Sequence, residues 1–219
     1  MSKVVIFGIK DFAELAHYYL NVDSDHQVVA FTVDKEYITD NFFKGLPVIA
    51  FENLINIHPP DEIKIFAPIS PLKMNSNREN IYNKIKENGY EFISYISSKA
   101  IIYNTTVGDN CFVFENNVIQ PFTSIGNNTI LWSGNHIGHH SNIGDHCFIS
   151  SHVVVSGNVI IENNCFIGVN STIIDNIVIK KFTYIGAGAL IGNNTDEYGV
   201  YPGLKSLVSK VPSNRMRGY

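Results

Sequence analysis

Five of the eight histidines in this 219-residue chain lie within one short segment. They are His136, His139, His140, His146 and His152. A neutral imidazole accepts a proton near neutral pH and can also bind a metal ion, so the segment could supply a general base or a metal site. The chemistry therefore depends on how the chain positions these side chains.

The histidine segment lies inside an uninterrupted six-residue repeat. Sixteen consecutive positions taken every six residues are aliphatic: Ile101, Val107, Val113, Ile119, Ile125, Leu131, Ile137, Ile143, Ile149, Val155, Ile161, Ile167, Ile173, Ile179, Ile185 and Ile191. This period fits neither an α-helix nor a single strand. It predicts a triangular parallel β-helix, in which three hexapeptides make one coil and about five coils stack at the strand spacing of about 4.8 Å.

Other residues of the repeat fit the same geometry. Glycine and asparagine are frequent between the aliphatic positions, as corners with positive φ require. Cys111, Cys147 and Cys165 fall at a second inward position, and we expect them to be buried core residues. A column of large side chains should face outward and be covered by another copy of the chain in a cyclic oligomer. This column comprises Phe112, Ile130, Phe148, Phe166 and Tyr184.

Within this repeat, His139 and His140 follow directly after Ile137 and Gly138 at a corner. At least one of the two side chains should therefore project outward, into solvent or toward a neighbouring subunit. We interpret His139 as a candidate general base. A metal site is the alternative, and we expect none. For His146 and His152, the interpretation as surface histidines without a role stays open.

Residues 1–97 have a different pattern, in which apolar strands alternate with helical segments. Strands are predicted at 3–8, 27–34 and 62–69, and helices at 11–21 and 77–88, with Asp11 as the N-cap of the first helix. The alternation predicts a small α/β (Rossmann-like) domain. The β-helix should follow at residues 98–195, with a C-terminal tail at 196–219.

The first loop of the α/β domain is a candidate nucleotide site, because such sheets bind nucleotides at the carboxyl ends of their strands. Gly8 corresponds to the first glycine of a dinucleotide fingerprint, but the other glycines are missing, which argues against bound NAD. Asp34 ends the second strand, where an acidic residue commonly meets a ribose or base. Lys10 and Lys35 are candidates for phosphate. Solvated loop charges are the alternative interpretation.

Composition limits the partners of the chain. The net charge of −4 gives no electrostatic reason to expect a nucleic acid or an anionic membrane as partner. No segment is apolar enough for a membrane span, no signal peptide is recognisable, and an odd number of cysteines favours the reducing cytoplasm. Lysine and arginine are missing between Lys99 and Lys180 and then recur in a basic group. A phosphate-rich cofactor could bind to this group, although a solvated tail explains the same basic residues equally well. This group is Lys180, Lys181, Lys205, Lys210, Arg215 and Arg217.

With its hexapeptides, its two-domain plan and the segment NHIGHHSNIGDHCFISSHVVVSGNV, the chain resembles the NeuD/PglD-type sugar acyltransferases. The resemblance implies a small nucleotide-binding α/β domain, a left-handed parallel β-helix, acetyl-CoA as co-substrate and a homotrimer. It implies that His139 is the base and that His140 stands where some relatives carry a carboxylate. A second family histidine aligns with Phe148, and either His136 or His152 replaces it or no residue does.

The same resemblance assigns the remaining contacts. Backbone groups of Gly157, Val169 and Ala187 would meet the pantetheine and acetyl carbonyl, while Gly8, Lys10, Asp34 and Lys35 would contact the nucleotide. The implied activity is N-acetylation of the 4-amino group of a nucleotide-linked 4-amino-4,6-dideoxy sugar, by direct transfer in the cytoplasm for polysaccharide or glycoprotein synthesis. The alternatives are O-acetylation of a sialic-acid-type sugar and a non-catalytic or carbonic-anhydrase-like β-helix. The nucleotide stays open between UDP, dTDP and GDP.

Overall fold

A computed structural model describes residues 2–203 and 205–215 of the chain. The N-terminal part is a five-stranded sheet in the order β3-β4-β2-β1-β5. Its strands are β1 Lys3–Phe7, β2 Gln27–Val33, β3 Phe42–Phe43, β4 Leu46–Ala50 and β5 Lys64–Phe66. Only β3 pairs in the antiparallel direction. The helices are α1 Asp11–Val22, α2 Phe51–Ile57 and α3 Ser76–Glu87, with a 3-10 turn at Lys35–Tyr37.

The α/β plan agrees with the alternation in the sequence, with local differences. The helix predicted at 11–21 begins with Asp11 as its first helical residue, and Lys10, whose backbone is extended, is its N-cap. Asp11 therefore does not cap the helix as predicted. The strand predicted at 62–69 is limited to Lys64–Phe66. The pair formed by β4 and α2 was not predicted, because both elements are short and only half-buried.

Residues 95–201 form the triangular β-helix, and the fold class predicted above, an α/β domain followed by a left-handed parallel β-helix, is confirmed. The chain visits three faces in turn. Face I contains Tyr95–Ile96, Phe112–Val113, Ile130–Leu131, Phe148–Ile149, Phe166–Ile167, Tyr184–Ile185 and Val200–Tyr201. Face II contains Ile101–Ile102, Val118–Ile119, His136–Ile137, Val154–Val155, Thr172–Ile173 and Leu190–Ile191. Face III contains Thr106–Val107, Ser124–Ile125, Asn142–Ile143, Ile160–Ile161 and Val178–Ile179.

The aliphatic position of the repeat fills the interior of the prism from Val107 to Ile191. Ile101, the first member of the predicted series, is an exception: it pairs with Val118, so it faces outward and is 48% exposed, and Ile102 takes the inward place. The first coil is one residue shorter than the others, which shifts the register there. The three cysteines are fully buried in the core, as predicted.

Every sixth residue turns the chain at a corner with a left-handed backbone. Fifteen successive corner residues from 104 to 188 have positive φ: Asn104, Asn110, Asn116, Phe122, Asn128, Gly134, His140, His146, His152, Asn158, Asn164, Asn170, Asn176, Phe182 and Gly188. Asparagine and glycine tolerate this conformation best, and histidine is also enriched in it. The corner geometry therefore explains why asparagine recurs between the strands.

The outward column on face I is covered by the chain's own α/β domain, not by another copy as predicted. Phe112, Ile130 and Phe148 are buried in one core cluster with α1 and the sheet. The Phe12 ring lies 6.3 Å from Phe148, and the Tyr19 ring lies 6.1 Å from Phe112. The rungs beyond this cover, Phe166 and Tyr184, are partly exposed. The sequence interpretation failed because outward periodicity does not reveal which surface provides the cover.

Helix α3 packs along the corner between faces III and I, which we call the helix corner. Arg78 is buried and donates hydrogen bonds to the carbonyl oxygens of Ile69 and Asn128. Asn75, one turn earlier, donates to the Cys165 carbonyl oxygen at 3.1 Å, and Tyr82, one turn later, donates to Asp109 at 2.6 Å. Along the helix, the hydrogen-bond partners therefore move from the coil of Cys165 to that of Asn128 and then to that of Asp109.

His146 belongs to this helix corner and is 8% exposed. Its Nδ1 lies 2.9 Å from Asn128 Nδ2, and the Asn128 Oδ1 accepts a hydrogen bond from Asn110, so the Asn128 amide donates to His146. Burial lowers the pKa of His146 from its ordinary value of 6.5, although the nearby Glu79 carboxylate opposes this. The neutral imidazole is therefore part of the domain contact, contrary to the sequence interpretation of a surface residue without a role.

This burial predicts a pH dependence of stability. Below about pH 6.5 the unfolded chain binds a proton at His146 that the folded chain resists, so the free energy of unfolding should fall as the pH falls through this range. In His146→Asn, which carries the residue found at most corners, the decline should be smaller. Thermal unfolding of both proteins between pH 8 and pH 5 measures the difference. Parallel curves would show that His146 does not contribute, since His17 and His26, whose pKa values are also lowered, are common to both proteins.

Candidate functional site

His139 and His140 lie at the corner between faces II and III, which we call the histidine corner. Successive coils contribute Pro121, His139, Gly157 and Asp175 to it. His139 and His140 are both exposed. Their outward projection agrees with the sequence interpretation that at least one of the two faces outward.

His139 is held by contacts to the coils on either side. Its backbone N–H donates to the Gln120 Oε1 at 2.9 Å, and its carbonyl oxygen accepts from the Asn158 N–H at 2.9 Å. The imidazole lies directly over Gly157: a Cβ at that position would be 2.7 Å from His139 Cε1 and 2.9 Å from Nε2. Glycine at 157 therefore provides the space that the His139 ring occupies.

His140 is the polar partner of the His139 ring. Its Nδ1 lies 3.1 Å from His139 Nδ1, and the two rings are nearly perpendicular, at 85°. One of the two Nδ1 atoms must carry a hydrogen for this contact to be a hydrogen bond. When His139 donates from Nδ1–H, its Nε2 has a free lone pair and can accept a proton. The arrangement can therefore perform general base chemistry, with His140 in the place where a carboxylate would orient the base.

The other histidines lie on other parts of the prism. His136 is half-buried on face II, His146 is buried at the helix corner, and His152 is exposed at the third corner, where its ring lies over Gly134. Phe148, which aligns with the second family histidine, is buried under the α/β domain. The structure therefore brings only His139 and His140 together, and the replacement of that second histidine by His136 or His152 stays a prediction.

The three residues predicted to contact the cofactor lie at two corners. Gly157 is buried at the histidine corner, and its N–H already donates to Asp175 Oδ1 at 2.9 Å. Val169 and Ala187 are exposed at the third corner, between faces I and II, on neighbouring coils. Face II separates the two corners, so a molecule that contacts all three residues of one chain would have to cross this face.

The residues predicted to bind a nucleotide lie at one edge of the α/β sheet. Strands β1 and β2 are parallel neighbours, so Gly8 and Asp34 follow their carboxyl ends at the same edge. Gly8 has a φ of 128°, which glycine accommodates, and its N–H donates to the Thr32 carbonyl oxygen. Lys10 is exposed at the start of α1, and no side chain caps this helix. The first turn of α1 therefore presents N–H groups suited to an anion.

Charges divide this edge into two parts. Asp34 forms an ion pair with Lys84 at 2.6 Å, and Glu52 accepts a hydrogen bond from the Lys35 N–H at 3.1 Å. Asp34, Glu36 and Glu52 line an open depression together with Lys35. Three carboxylates disfavour phosphate there, so Lys35 is a poorer phosphate ligand than the sequence suggested. Hydroxyl groups of a ribose suit this part of the edge better, and phosphate suits the region of Gly8 and Lys10.

His139 lies apart from the sheet edge at Gly8 and Asp34 that is predicted to bind a nucleotide, which we call the nucleotide edge. The α/β domain covers face I, and the histidine corner is the edge of the triangular prism opposite that face. Within this chain, His139 therefore lies away from the Gly8 loop. Faces II and III carry exposed apolar side chains, among them Val154, Ile160 and Leu190, the last 71% exposed.

The basic group near the C-terminus is partly neutralised by ion pairs. Lys180 and Lys181 are paired with Glu162 and Glu197, which weakens their attraction for a cofactor phosphate. Lys205, Lys210 and Arg215 are exposed, and Arg217 lies outside the described residues.

Among residues 2–203 and 205–215, no three histidine, cysteine or acidic side chains form a group suited to a metal ion. None of the described helices has the length and apolar character needed to cross a membrane.

Comparisons with known proteins agree with this architecture. Residues 104–139, 122–157 and 140–175 match the family of bacterial transferase hexapeptides, described as six repeats. No curated protein matches the sequence of the chain. The matched residues lie in the middle of the β-helix.

Several solved structures share the fold over most of its length. A histidine variant of perosamine N-acetyltransferase from Caulobacter crescentus, in complex with CoA and GDP-perosamine, is 19% identical with a TM-score of 0.81, covering 91% of this chain and 93% of that one. The acetyltransferase domain of PglB from Neisseria gonorrhoeae is 18% identical, with a TM-score of 0.77 and coverage of 91% and 96%. WeeI from Acinetobacter baumannii is 19% identical, with a TM-score of 0.69 and coverage of 92% and 94%. The chain therefore has the two-domain fold of these proteins.

Sequence reasoning missed three residues of the histidine corner. Gln120 and Asp175 accept backbone hydrogen bonds from His139 and Gly157, and Phe122 contacts the His140 ring, with 4.8 Å between the ring centroids. The signal that could have found them is the length of a coil. Residues one coil apart stack on each other. Once the prism is assumed, Phe122 follows from the position of His140, and Gly157 and then Asp175 follow from the position of His139.

Proposed function

We propose that this protein is an acetyl-CoA-dependent N-acetyltransferase whose acceptor is the 4-amino group of a nucleotide-linked 4-amino-4,6-dideoxy sugar. The observation that carries the proposal is the exposed His139–His140 pair on a fold shared with perosamine N-acetyltransferase, whose structure holds CoA and GDP-perosamine. The PglB acetyltransferase domain, which shares the fold, was solved with acetyl coenzyme A. The cytoplasm suits this donor and the three free, buried cysteines.

His139 acts as the general base in the proposed reaction. The amine nitrogen attacks the thioester carbonyl carbon while His139 Nε2 accepts the proton that the amine loses. The C–S bond of the tetrahedral intermediate then breaks, and the proton on His139 passes to the CoA thiolate as the leaving group. His140 Nδ1 accepts a hydrogen bond from His139 Nδ1–H throughout and stabilises the imidazolium. No acyl-enzyme is formed, which agrees with the complete burial of Cys147 and Cys165.

The chain acts as a homotrimer in this proposal, because the two halves of the site lie on opposite sides of one chain. The α/β domain of one protomer would hold the nucleotide at Gly8, Lys10 and Asp34, with Lys35 beside them. The histidine corner of a neighbouring protomer would meet the sugar. The exposed apolar side chains on faces II and III, among them Val154 and Leu190, support contacts between prisms. Gly157, Val169 and Ala187 are proposed to contact acetyl-CoA.

The first test is acetyl transfer to a panel of acceptors. Purified protein should acetylate a nucleotide-linked 4-amino sugar, and UDP, dTDP and GDP forms assayed in parallel identify the nucleotide. His139→Ala should lower kcat by about 10²–10⁴-fold with the assembly intact, because a positioned base contributes about this much. Transfer to sialic acid hydroxyls alone would identify an O-acetyltransferase, and failure to bind acetyl-CoA in calorimetry would contradict the proposal.

The glycine under His139 provides a second test. In Gly157→Ala the added Cβ would lie within 2.9 Å of the imidazole, so the ring must move while the coil stays folded. We expect kcat to fall by about 10- to 100-fold, since a displacement of about 1 Å has effects of this size. Gly192→Ala is the matched control, because the nearest atom to its Cβ would be Ile174 Cδ1 at 3.9 Å. A normal kcat in Gly157→Ala would show that the ring is not held there during catalysis.

Mixed trimers test whether two protomers share each site. His139→Ala and Lys10→Glu chains with different tags are co-expressed, and trimers containing both are isolated. Neither variant alone should be active at low acceptor concentration. In a cyclic mixed trimer, one of three interfaces joins an intact α/β domain to an intact histidine, so about one third of the wild-type rate should return. No recovery in verified mixed trimers would show that each site belongs to a single chain.

A further inference from the structure

Two of the fifteen left-handed corners carry phenylalanine, Phe122 and Phe182, where asparagine, glycine or histidine stands elsewhere. A bulky side chain at positive φ is unfavourable, and residues in such conformations cluster at functional sites. Phe122 has a φ of 65° and is 61% exposed, so burial within the chain does little to compensate for the backbone conformation. Its presence therefore calls for a different explanation.

Phe122 lies at the histidine corner, one coil before His140. The two ring centroids are 4.8 Å apart, with 40° between the ring planes. His140 in turn places its Nδ1 3.1 Å from His139 Nδ1. Since both histidines are exposed, the chain offers few other groups that could fix the His140 ring. The Phe122 ring is the aromatic surface against which His140 lies.

From this geometry we infer that Phe122 is a positioning residue for the His139–His140 pair, an inference that rests on the proposed function. The Phe122 ring holds the His140 imidazole in the rotamer whose Nδ1 accepts a hydrogen bond from His139 Nδ1–H. This contact keeps the hydrogen of neutral His139 on Nδ1 and leaves Nε2 free to accept the proton of the amine. Phe122 touches neither substrate nor the reacting atoms in this role.

The other corner phenylalanine supplies a matched control. Phe182 has a φ of 57° and stacks on Tyr198 at 4.9 Å, an equivalent pairing of two corner residues. It lies at the helix corner, away from His139. Replacing either phenylalanine with asparagine introduces the side chain that corners prefer, so both variants should fold. Both variants lose an aromatic ring from a corner. A difference in kcat between them therefore shows the effect of losing the ring that lies beside His140.

The kinetic experiment compares Phe122→Asn, Phe122→Tyr and Phe182→Asn with the wild-type trimer. Phe122→Asn should lower kcat by about tenfold and change KM for acetyl-CoA by less than about twofold, because orientation of the base affects the chemical step. Phe122→Tyr keeps the ring and should retain the wild-type kcat, as should Phe182→Asn. Equal kcat in Phe122→Asn and Phe182→Asn would overturn the inference. Dissociation of the Phe122→Asn trimer would also overturn it, since Phe122 would then be an interface residue.

A second measurement needs no turnover. Imidazole ¹⁵N chemical shifts report which nitrogen of a neutral histidine carries the hydrogen. In the wild-type protein His139 should be the Nδ1–H tautomer, and in Phe122→Asn it should become a mixture of both tautomers, whereas Phe182→Asn should leave it unchanged. An unchanged tautomer in Phe122→Asn would overturn the positioning role. If the wild-type protein transfers no acetyl group, the proposed function fails, and this measurement alone decides the role of Phe122.

Discussion

The left-handed corner is the constraint on which the β-helix depends. The chain can close a triangular coil only if it turns sharply after each short strand, and each turn here uses one residue at positive φ. Between these corners, the aliphatic residues stack in the interior, and the parallel strands pair from coil to coil. A residue at a corner is therefore selected for its backbone conformation first, and only then for what its side chain can do.

This constraint changes the interpretation of the histidine segment. His140, His146 and His152 all occupy corners, because histidine tolerates the left-handed region better than most residues do. Their spacing of six reflects the coil and not a ligand set. His139 is different, since it precedes a corner and its ring lies over Gly157. The group of five histidines is thus mostly a consequence of the fold. General base chemistry is feasible only at the His139–His140 pair among them.

The α/β domain has a second effect, because it occupies one face of the prism and so defines the remaining surface. Arg78 and its neighbours on α3 fix this domain along the helix corner, and α1 covers the aromatic column of face I. The histidine corner remains on the opposite edge. In the proposed function, this separation is the reason that a site requires two protomers, since the nucleotide edge and the base cannot meet within one.

The sequence by itself determined the β-helix, all but the first of its inward aliphatic residues, and the outward projection of at least one of His139 and His140, because a strict period of six leaves one regular solution. It also indicated the α/β domain and the edge of the sheet at which Gly8 and Asp34 lie, since strand ends and glycine turns are local features. Only the tertiary structure decided that α1 covers Phe112 and Phe148, that Ile101 faces outward, and that His146 is buried against α3. These outcomes depend on which distant surfaces meet, and hydrophobic periodicity gives the direction of a side chain but not the partner that covers it.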